Sequence, residues 1–230
     1  MSTIESNLQH VRAGIDRALS ARSAGVRQTV ALVAVGKTRP AGIIREAFAA
    51  GQRAFGENYV QEGVAKIAAL GDLIRSGIEW HFIGPLQSNK ARLVATNFDW
   101  VHAVDRVKIA GALDRHRRGR PPLNCCIQVN VSGEAGKSGV APADTLALAQ
   151  AMTSFPALRL RGLMTIIENT PDEAAQRSQF RMLRELQNRL LNAGLTVDTL
   201  SMGMSQDFPI AIDEGATMVR IGSAIFGARD

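Results

Sequence analysis

A lysine stands where a buried strand runs out. In VALVAVGKTRP (30–40) an apolar run rich in β-branched residues gives way to Gly36, Lys37, Thr38, Arg39 and Pro40. Such a run reads as a strand buried on both faces, with Lys37 just past its end. An amine held there by apolar walls can have a lowered pKa and attack a carbonyl to form a Schiff base. A surface lysine after a strand would have the same local sequence, so the rest of the chain has to decide.

Two later stretches carry matching chemistry. LSMGMS (200–205) and VRIGSAIFG (219–227) each put small residues and hydroxyls at a strand end where a helix begins. In barrels of alternating strand and helix, phosphate commonly binds after the last two strands, on backbone N–H groups at a helix start. Gly203 and Gly222 would admit an anion close to the backbone, and Ser201, Ser205 and Ser223 could add hydroxyls; ordinary turns use the same residue types. Arg220 adds more. It lies two residues before Gly222 on an otherwise apolar strand, hence on the same face, and a buried arginine needs a partner. A pyridine nitrogen is a suitable acceptor. Arginine keeps its proton, so the ring nitrogen would stay unprotonated and the ring a weak electron sink. An aldehyde-reactive lysine, a phosphate cup and an arginine for a ring nitrogen together describe pyridoxal 5′-phosphate. Lys137, in the glycine-bearing loop GEAGKSG, is a second amine that could reach the same aldehyde or phosphate and help the cofactor leave Lys37; a solvated loop lysine reads the same way.

These residues need elements to position them. An amphipathic helix is expected over 3–24, with Ser2 or Thr3 as its cap and Ile4, Leu8, Val11, Ile15 and Leu19 on one stripe. Strands are expected at 30–35, 53–55, 79–83, 100–104, 123–131, 158–166, 197–202 and 218–221. Helices are expected at 41–51, 59–73, 89–96, 107–117, 142–153, 207–214 and, behind the cap Thr170-Pro171-Asp172-Glu173, along a long stretch carrying Phe180, Leu183, Leu186 and Leu190. Eight alternations in this length predict an α/β fold, a closed (β/α)8 TIM barrel with an extra N-terminal helix. Residues 1–230 are expected to form a single domain. No GxGxxG follows the first strand, which weakens an open dinucleotide-binding sheet. The strand C-terminal ends then gather Lys37, Asn58, Gln87–Asn89, Asp105, Asn130, Lys137, Thr165, Ser201, Ser205, Gly222 and Ser223.

Composition narrows the field. The chain has 230 residues, 46% hydrophobic and 21% charged, with a formal net charge of +6. Arg115, Arg117, Arg118 and Arg120 cluster at a predicted helix end, where they complement the helix dipole. No aromatic residues interleave with them, so a specific nucleic-acid surface is not expected. No segment looks like a membrane span or a signal peptide, which predicts a cytoplasmic protein. Cys125 and Cys126 are strand neighbours pointing to opposite faces and read as buried thiols. The histidines show no metal spacing; His81 reads as a satisfied core histidine, and Tyr59, the one tyrosine, as a packing aromatic.

Six ordered blocks carry a resemblance: VAVGKTRP (33–40), FGENYVQE (55–62), WHFIGPLQSNK (80–90), LRGLM (160–164), LSMGMS (200–205) and VRIGSAIFGAR (219–229). The chain resembles the pyridoxal phosphate homeostasis proteins (YggS/PROSC family) over nearly its whole length. The resemblance implies a barrel like the N-terminal domain of alanine racemase and of the eukaryotic ornithine decarboxylases (fold type III). It implies that Lys37 carries the Schiff base, Asn58 approaches the ring and Arg220 faces the pyridine nitrogen. It also implies that Ser205, Gly222 and Ser223 hold the phosphate, with Ser201 and Met202 lining the same cup. The implied role is buffering, protecting or delivering the cofactor, with apo forms of dependent enzymes as recipients and little or no catalysis. The chain departs from the family pattern at Gly36, usually serine, and at Ser223, usually threonine. Gly36 is expected to loosen the backbone beside Lys37. A racemase of this fold uses an acid or base on each cofactor face, one of them a tyrosine from a partner's second domain. With no second domain expected, a carrier and a monomer fit better. A small racemase or decarboxylase on the same cofactor is the alternative, and a charge-driven nucleic-acid or protein scaffold a third reading.

Overall fold

The computed structural model describes residues 2–21, 29–134 and 136–228. Eight parallel strands close into a barrel in chain order. They are β1 (Ala31–Val35), β2 (Ala54–Glu57), β3 (Glu79–Phe82), β4 (Trp100–Val104), β5 (Leu123–Gln128), β6 (Leu158–Met164), β7 (Thr199–Ser201) and β8 (Met218–Ile221). The ring shuts where Ala31–Ala34 of β1 pair with Met218–Ile221 of β8, which sets Val33 beside Arg220. Around it lie α1 (Thr3–Ala21), α2 (Ala41–Ala49), α3 (Val60–Ala69), α4 (Ala91–Asn97), α5 (Val107–Arg117), α6 (Thr145–Met152), α7 (Glu173–Asn192), α8 (Phe208–Asp213) and α9 (Ser223–Phe226).

The pleat explains why the strands are apolar on both sides. Alternate residues face the helices or the barrel axis, and both directions are dry. Leu8, Ile44, Phe55, Phe82, Phe98, Leu113 and Leu183 fill the shell between sheet and helices. Val33, Trp100, Cys126, Met164 and Met218 form a separate cluster inside the ring. Each large side chain fully removed from water contributes about 1.5–3 kcal/mol.

Helix ends follow their sequence signals. Asp172 caps α7, its carboxylate accepting the N–H groups of Ala174 and Ala175. Ser2 Oγ accepts the Glu5 N–H at the start of α1. That helix buries Ile4, Leu8, Val11 and Ile15 and is tied to α9 by Asn7 Nδ2 donating to the Ile225 carbonyl at 2.8 Å. The helix expected to run to residue 24 is described to Ala21, and 22–24 lie outside the described residues. The helix expected over 59–73 stops at Ala69, and 71–76 form a 3-10 turn closed by Gly77 at φ 83°.

Two expectations are settled by packing. Tyr59 is not a packing aromatic. It stands at the N-cap of α3 and is 56% exposed, because β2 ends at Glu57 and the chain turns outward at Asn58. Two arginines of the basic cluster at the end of α5 close the end of the preceding helix, α4: Arg117 donates to the Ala95 and Phe98 carbonyls, each at 2.8 Å, and Arg120 donates to that of Thr96. Cys125 and Cys126 are buried free thiols. Among the described residues no helix is long and apolar enough to cross a membrane, and no group of three or more His, Cys, Asp or Glu is placed to hold a metal ion.

Candidate functional site

A cavity of about 570 Å³ opens at the C-terminal ends of the strands. Lys37 enters it from the turn after β1, Asn58 from the end of β2 and Lys137 from the loop after β5. Ser205 comes from the loop after β7, Arg220 from β8, and Gly222 and Ser223 from the start of α9. Ile166, Met204 and Phe226 give the cavity an apolar wall. Seven of the nine residues singled out from sequence therefore line one space. Ser201 and Met202 do not line it: both are fully buried, and the Ser201 hydroxyl is consumed inside the barrel.

The consumer is Arg220. Its guanidinium donates to Ser201 Oγ at 2.7 Å and to the Thr165 carbonyl at 2.8 Å. Burial lowers its pKa to about 10, so it stays a cation at neutral pH. A guanidinium has five N–H groups, so these two bonds leave donors for the cavity that it lines. Behind Ser201 the bonds continue. His102 Nδ1 lies 2.8 Å from Ser201 Oγ, His102 Nε2 lies 3.0 Å from His81 Nδ1, and His81 Nε2 lies 2.7 Å from Glu79 Oε1. Burial holds the His102 pKa well below its ordinary value, with the charges of His81 and Arg220 adding to the effect, so its ring is neutral. One set of roles then satisfies every atom: Arg220 donates to Ser201, Ser201 to His102, His102 to His81, and His81 to the Glu79 carboxylate. The hydrogen bond from His81 lowers the Glu79 pKa. His81 is the satisfied core histidine expected of it. His102 was missed; the signal was a single histidine in each of two apolar strands, EWHF and WVHAV, brought to one face by the β3–β4 register.

The Lys37 side is built from charge. Lys66 of α3 is buried, and its Nζ donates to the Gly36 carbonyl at 2.6 Å, Glu57 Oε1 at 2.8 Å and Glu62 Oε1 at 2.6 Å. Glu62 Oε1 also accepts the Thr38 N–H at 2.5 Å. Glu57 Oε2 is buried without a hydrogen-bond partner among the described residues. Burial pushes the Glu57 pKa up to about 7 against the opposing pull of Lys66. Gly36 therefore does not loosen the backbone beside Lys37. Its carbonyl is held by Lys66, its N–H donates to the Gly56 carbonyl at 2.9 Å, and a Cβ there would lie 2.4 Å from Ile44 Cδ1 and 3.0 Å from Glu57 Oε1.

The far wall offers hydroxyls and amides. Ser223 Oγ donates to Ser205 Oγ at 3.1 Å. The first N–H groups of a helix have no intrahelical acceptor, and in α9 these belong to Ser223 and Ala224. Asn58 Oδ1 is buried without a partner among the described residues; its carboxamide can offer an acceptor or, turned over, a donor. Gly84 packs on that corner so closely that a Cβ would strike the Asn58 carbonyl at 2.1 Å. Lys137 pairs with Glu134 at 2.6 Å, in a loop folded round Asn130, whose side chain donates to the Glu134 carbonyl and accepts the Gly133 N–H. Amine, orphaned carboxamide, buried cation and hydroxyl pair fit a phosphorylated pyridine aldehyde in donor type and charge.

Comparison with known proteins agrees. The model of the alanine racemase N-terminal domain family matches residues 6–230. The pyridoxal phosphate homeostasis protein of Pseudomonas aeruginosa is 58% identical, over 100% of this chain and 97% of that one. The protein of the same name from Escherichia coli K12 is 50% identical, over 100% and 98%. The structure of PipY from Synechococcus elongatus with pyridoxal phosphate bound has a TM-score of 0.84 and 39% identity, covering 97% of this chain and all of that one. Alanine racemase from Corynebacterium glutamicum, 18% identical with a TM-score of 0.70, covers 99% of this chain and 61% of its own, and shares the fold.

Proposed function

The chain belongs to the alanine racemase N-terminal domain family, and from that premise we propose that it binds pyridoxal 5′-phosphate and serves in its homeostasis. The observation that carries this reading is the meeting of Lys37, Arg220 and the Ser205–Ser223 pair in one cavity. When bound, the cofactor supplies an aldehyde that condenses with a primary amine, losing water, and is released by hydrolysis.

In this reading Lys37 is the covalent anchor. Arg220 directs a spare N–H at the ring nitrogen and, as a persistent cation, leaves that nitrogen unprotonated. Ser205, Ser223 and the N–H groups beside Gly222 take the phosphate, and Asn58 lies against the ring. Ser201 and Met202 act from beneath the cavity, Ser201 by holding Arg220. Residues 1–230 act as one cofactor-binding domain, in the cytoplasm and as a monomer.

The protein keeps the cofactor with little turnover of its own. Tyr59 is exposed and is not among the cavity-lining residues, while Lys137 is engaged with Glu134. Lys137 leaves that pair to help the cofactor pass to apo-enzymes. Two assays test the role. In the first, loaded protein is mixed with an apo-enzyme and the return of the enzyme's activity is timed; Lys137→Ala slows it, and an unaltered rate refutes the part given to Lys137. The second measures α-proton exchange on a panel of amino acids. Turnover of about 1 s⁻¹ or faster, within the ordinary enzyme range, contradicts a carrier and favours a small racemase or decarboxylase.

A further inference from the structure

The turn that presents Lys37 is held from behind by groups that do not line the cavity. The peptide groups on either side of the Lys37 α-carbon are both bonded to one charged cluster. The Gly36 carbonyl accepts from Lys66 Nζ at 2.6 Å and the Thr38 N–H donates to Glu62 Oε1 at 2.5 Å. Lys66 Nζ in turn binds Glu62 and Glu57, so its three N–H donors have three acceptors.

Two further observations make this more than a satisfied ion pair. First, Thr38 has φ 63°, the one positive φ of a non-glycine residue among those described. A β-branched residue in the left-handed region is strained and persists only where its surroundings over-determine it. The Glu62 bond falls on that residue's own N–H. Second, the cluster is an expensive way to fill space. The Lys66 ammonium and the Glu57 carboxyl are taken from water, with Glu62 half-buried beside them and one oxygen, Glu57 Oε2, left unpartnered, where apolar side chains of similar volume would commonly be as stable or more so. Gly36 leaves the room that the cluster occupies, since a Cβ there would press on Glu57 Oε1. Glu57 is also the residue before Asn58, so one cluster fixes the strand ends that present both Lys37 and Asn58.

We propose that Lys66, Glu57 and Glu62 form a positioning brace that fixes the backbone of Lys37 and so the approach of its amine to an aldehyde in the cavity. This rests on Lys37 being the cofactor's anchor. Bond formation between amine and carbonyl depends steeply on the placement of the reacting atoms, and a small displacement of the turn is enough to slow it.

The test uses the full-length protein with Glu62→Ala, Glu62→Gln and Lys66→Met, each checked for folding by thermal melting. Pyridoxal 5′-phosphate is added, the adduct at Lys37 is trapped with borohydride at timed intervals and quantified by peptide mass, and Thr38 amide exchange is measured without cofactor. The brace predicts at least tenfold slower trapping and at least tenfold faster Thr38 exchange for Glu62→Ala and Lys66→Met. Glu62→Gln, which keeps an acceptor oxygen in place, stays within threefold of wild type on both. Should Lys66→Met fail to fold, the half-buried Glu62 pair decides alone. A folded Glu62→Ala protein with wild-type trapping and wild-type Thr38 exchange overturns the brace. If wild type traps nothing at Lys37, the cofactor reading has failed instead, and Thr38 exchange still decides whether the cluster holds the turn.

Discussion

Two polar networks reach the cavity from behind, and they are built on opposite principles. Under Arg220, a serine and two histidines pass hydrogen bonds in one direction from a buried cation to the Glu79 carboxylate, and every ring nitrogen has its partner. Under Lys37, one ammonium serves two carboxylates and a carbonyl, one carboxylate oxygen is left over, and Glu57 is shifted to titrate near neutrality. The first arrangement has one consistent protonation pattern and locks Arg220. The second is charged, over-subscribed and responsive to pH. In the proposed role the ring end of the cofactor sits on the fixed network and the covalent end on the adjustable one. That suits a site where attachment has to be reversible.

The largest predicted difference comes from breaking the charged network. Lys66→Met leaves the buried Glu57 without its cation, beside the half-buried Glu62, and costs about 3–5 kcal/mol in urea unfolding. Adding Glu57→Leu recovers most of that stability without restoring rapid trapping at Lys37. Recovery of both would mean that the cluster matters only for stability. The next effect is about 3 kcal/mol and depends on pH. Glu57 moves from an ordinary 4.5 to about 7 in the folded state, worth roughly 1.4 kcal/mol per unit. Lys66 and Glu62 are the charges facing it. Because the folded pKa is the higher one, the folded state holds a proton that the unfolded chain releases across that window. This contribution is complete below 4.5 and is lost as pH rises through 7. Stability measured from about pH 5 to about pH 8 should therefore fall in wild type and flatten in Glu57→Gln; parallel curves would place the titration elsewhere.

On the Arg220 side, His102→Leu strands the Ser201 hydroxyl and a His81 nitrogen. It should cost about 2–3 kcal/mol in unfolding, at 1 kcal/mol or more per orphaned group. It should weaken cofactor binding through Arg220 while leaving Thr38 exchange unchanged; a change at Thr38 would show that the two networks are not separate. Smallest is Gly36→Ser, about 1–3 kcal/mol, since the new Cβ presses on Ile44 and Glu57 and the flexible Ile44 end can yield. The comparison gains most if that variant also slows trapping.

The eight-stranded barrel was legible because each alternation carries local signals: a short, mostly apolar run, then a longer stretch of helical periodicity. Lys37, Arg220 and Ser223 were legible because each lies at a strand end or two residues from one. The supporting groups were not. Lys66 and Glu62 form an i,i+4 pair in VQEGVAKIAA, which reads as a solvated helix face until β2 and the Gly36 turn are packed on it. Ser201 reads like Ser205, yet the last residue of β7 points into the barrel, where Arg220 takes its hydroxyl. Those facts belong to register and packing between elements, which neither spacing nor composition carries.

The central claim is that Lys37 anchors the cofactor, and one spectrum tests it most directly. The protein is purified after loading with pyridoxal 5′-phosphate and its absorbance recorded before and after borohydride, with Lys37→Ala treated in parallel. The account predicts a visible band in wild type that reduction abolishes, and none in Lys37→Ala. A wild type without a reducible band, or a Lys37→Ala protein that keeps one, contradicts it.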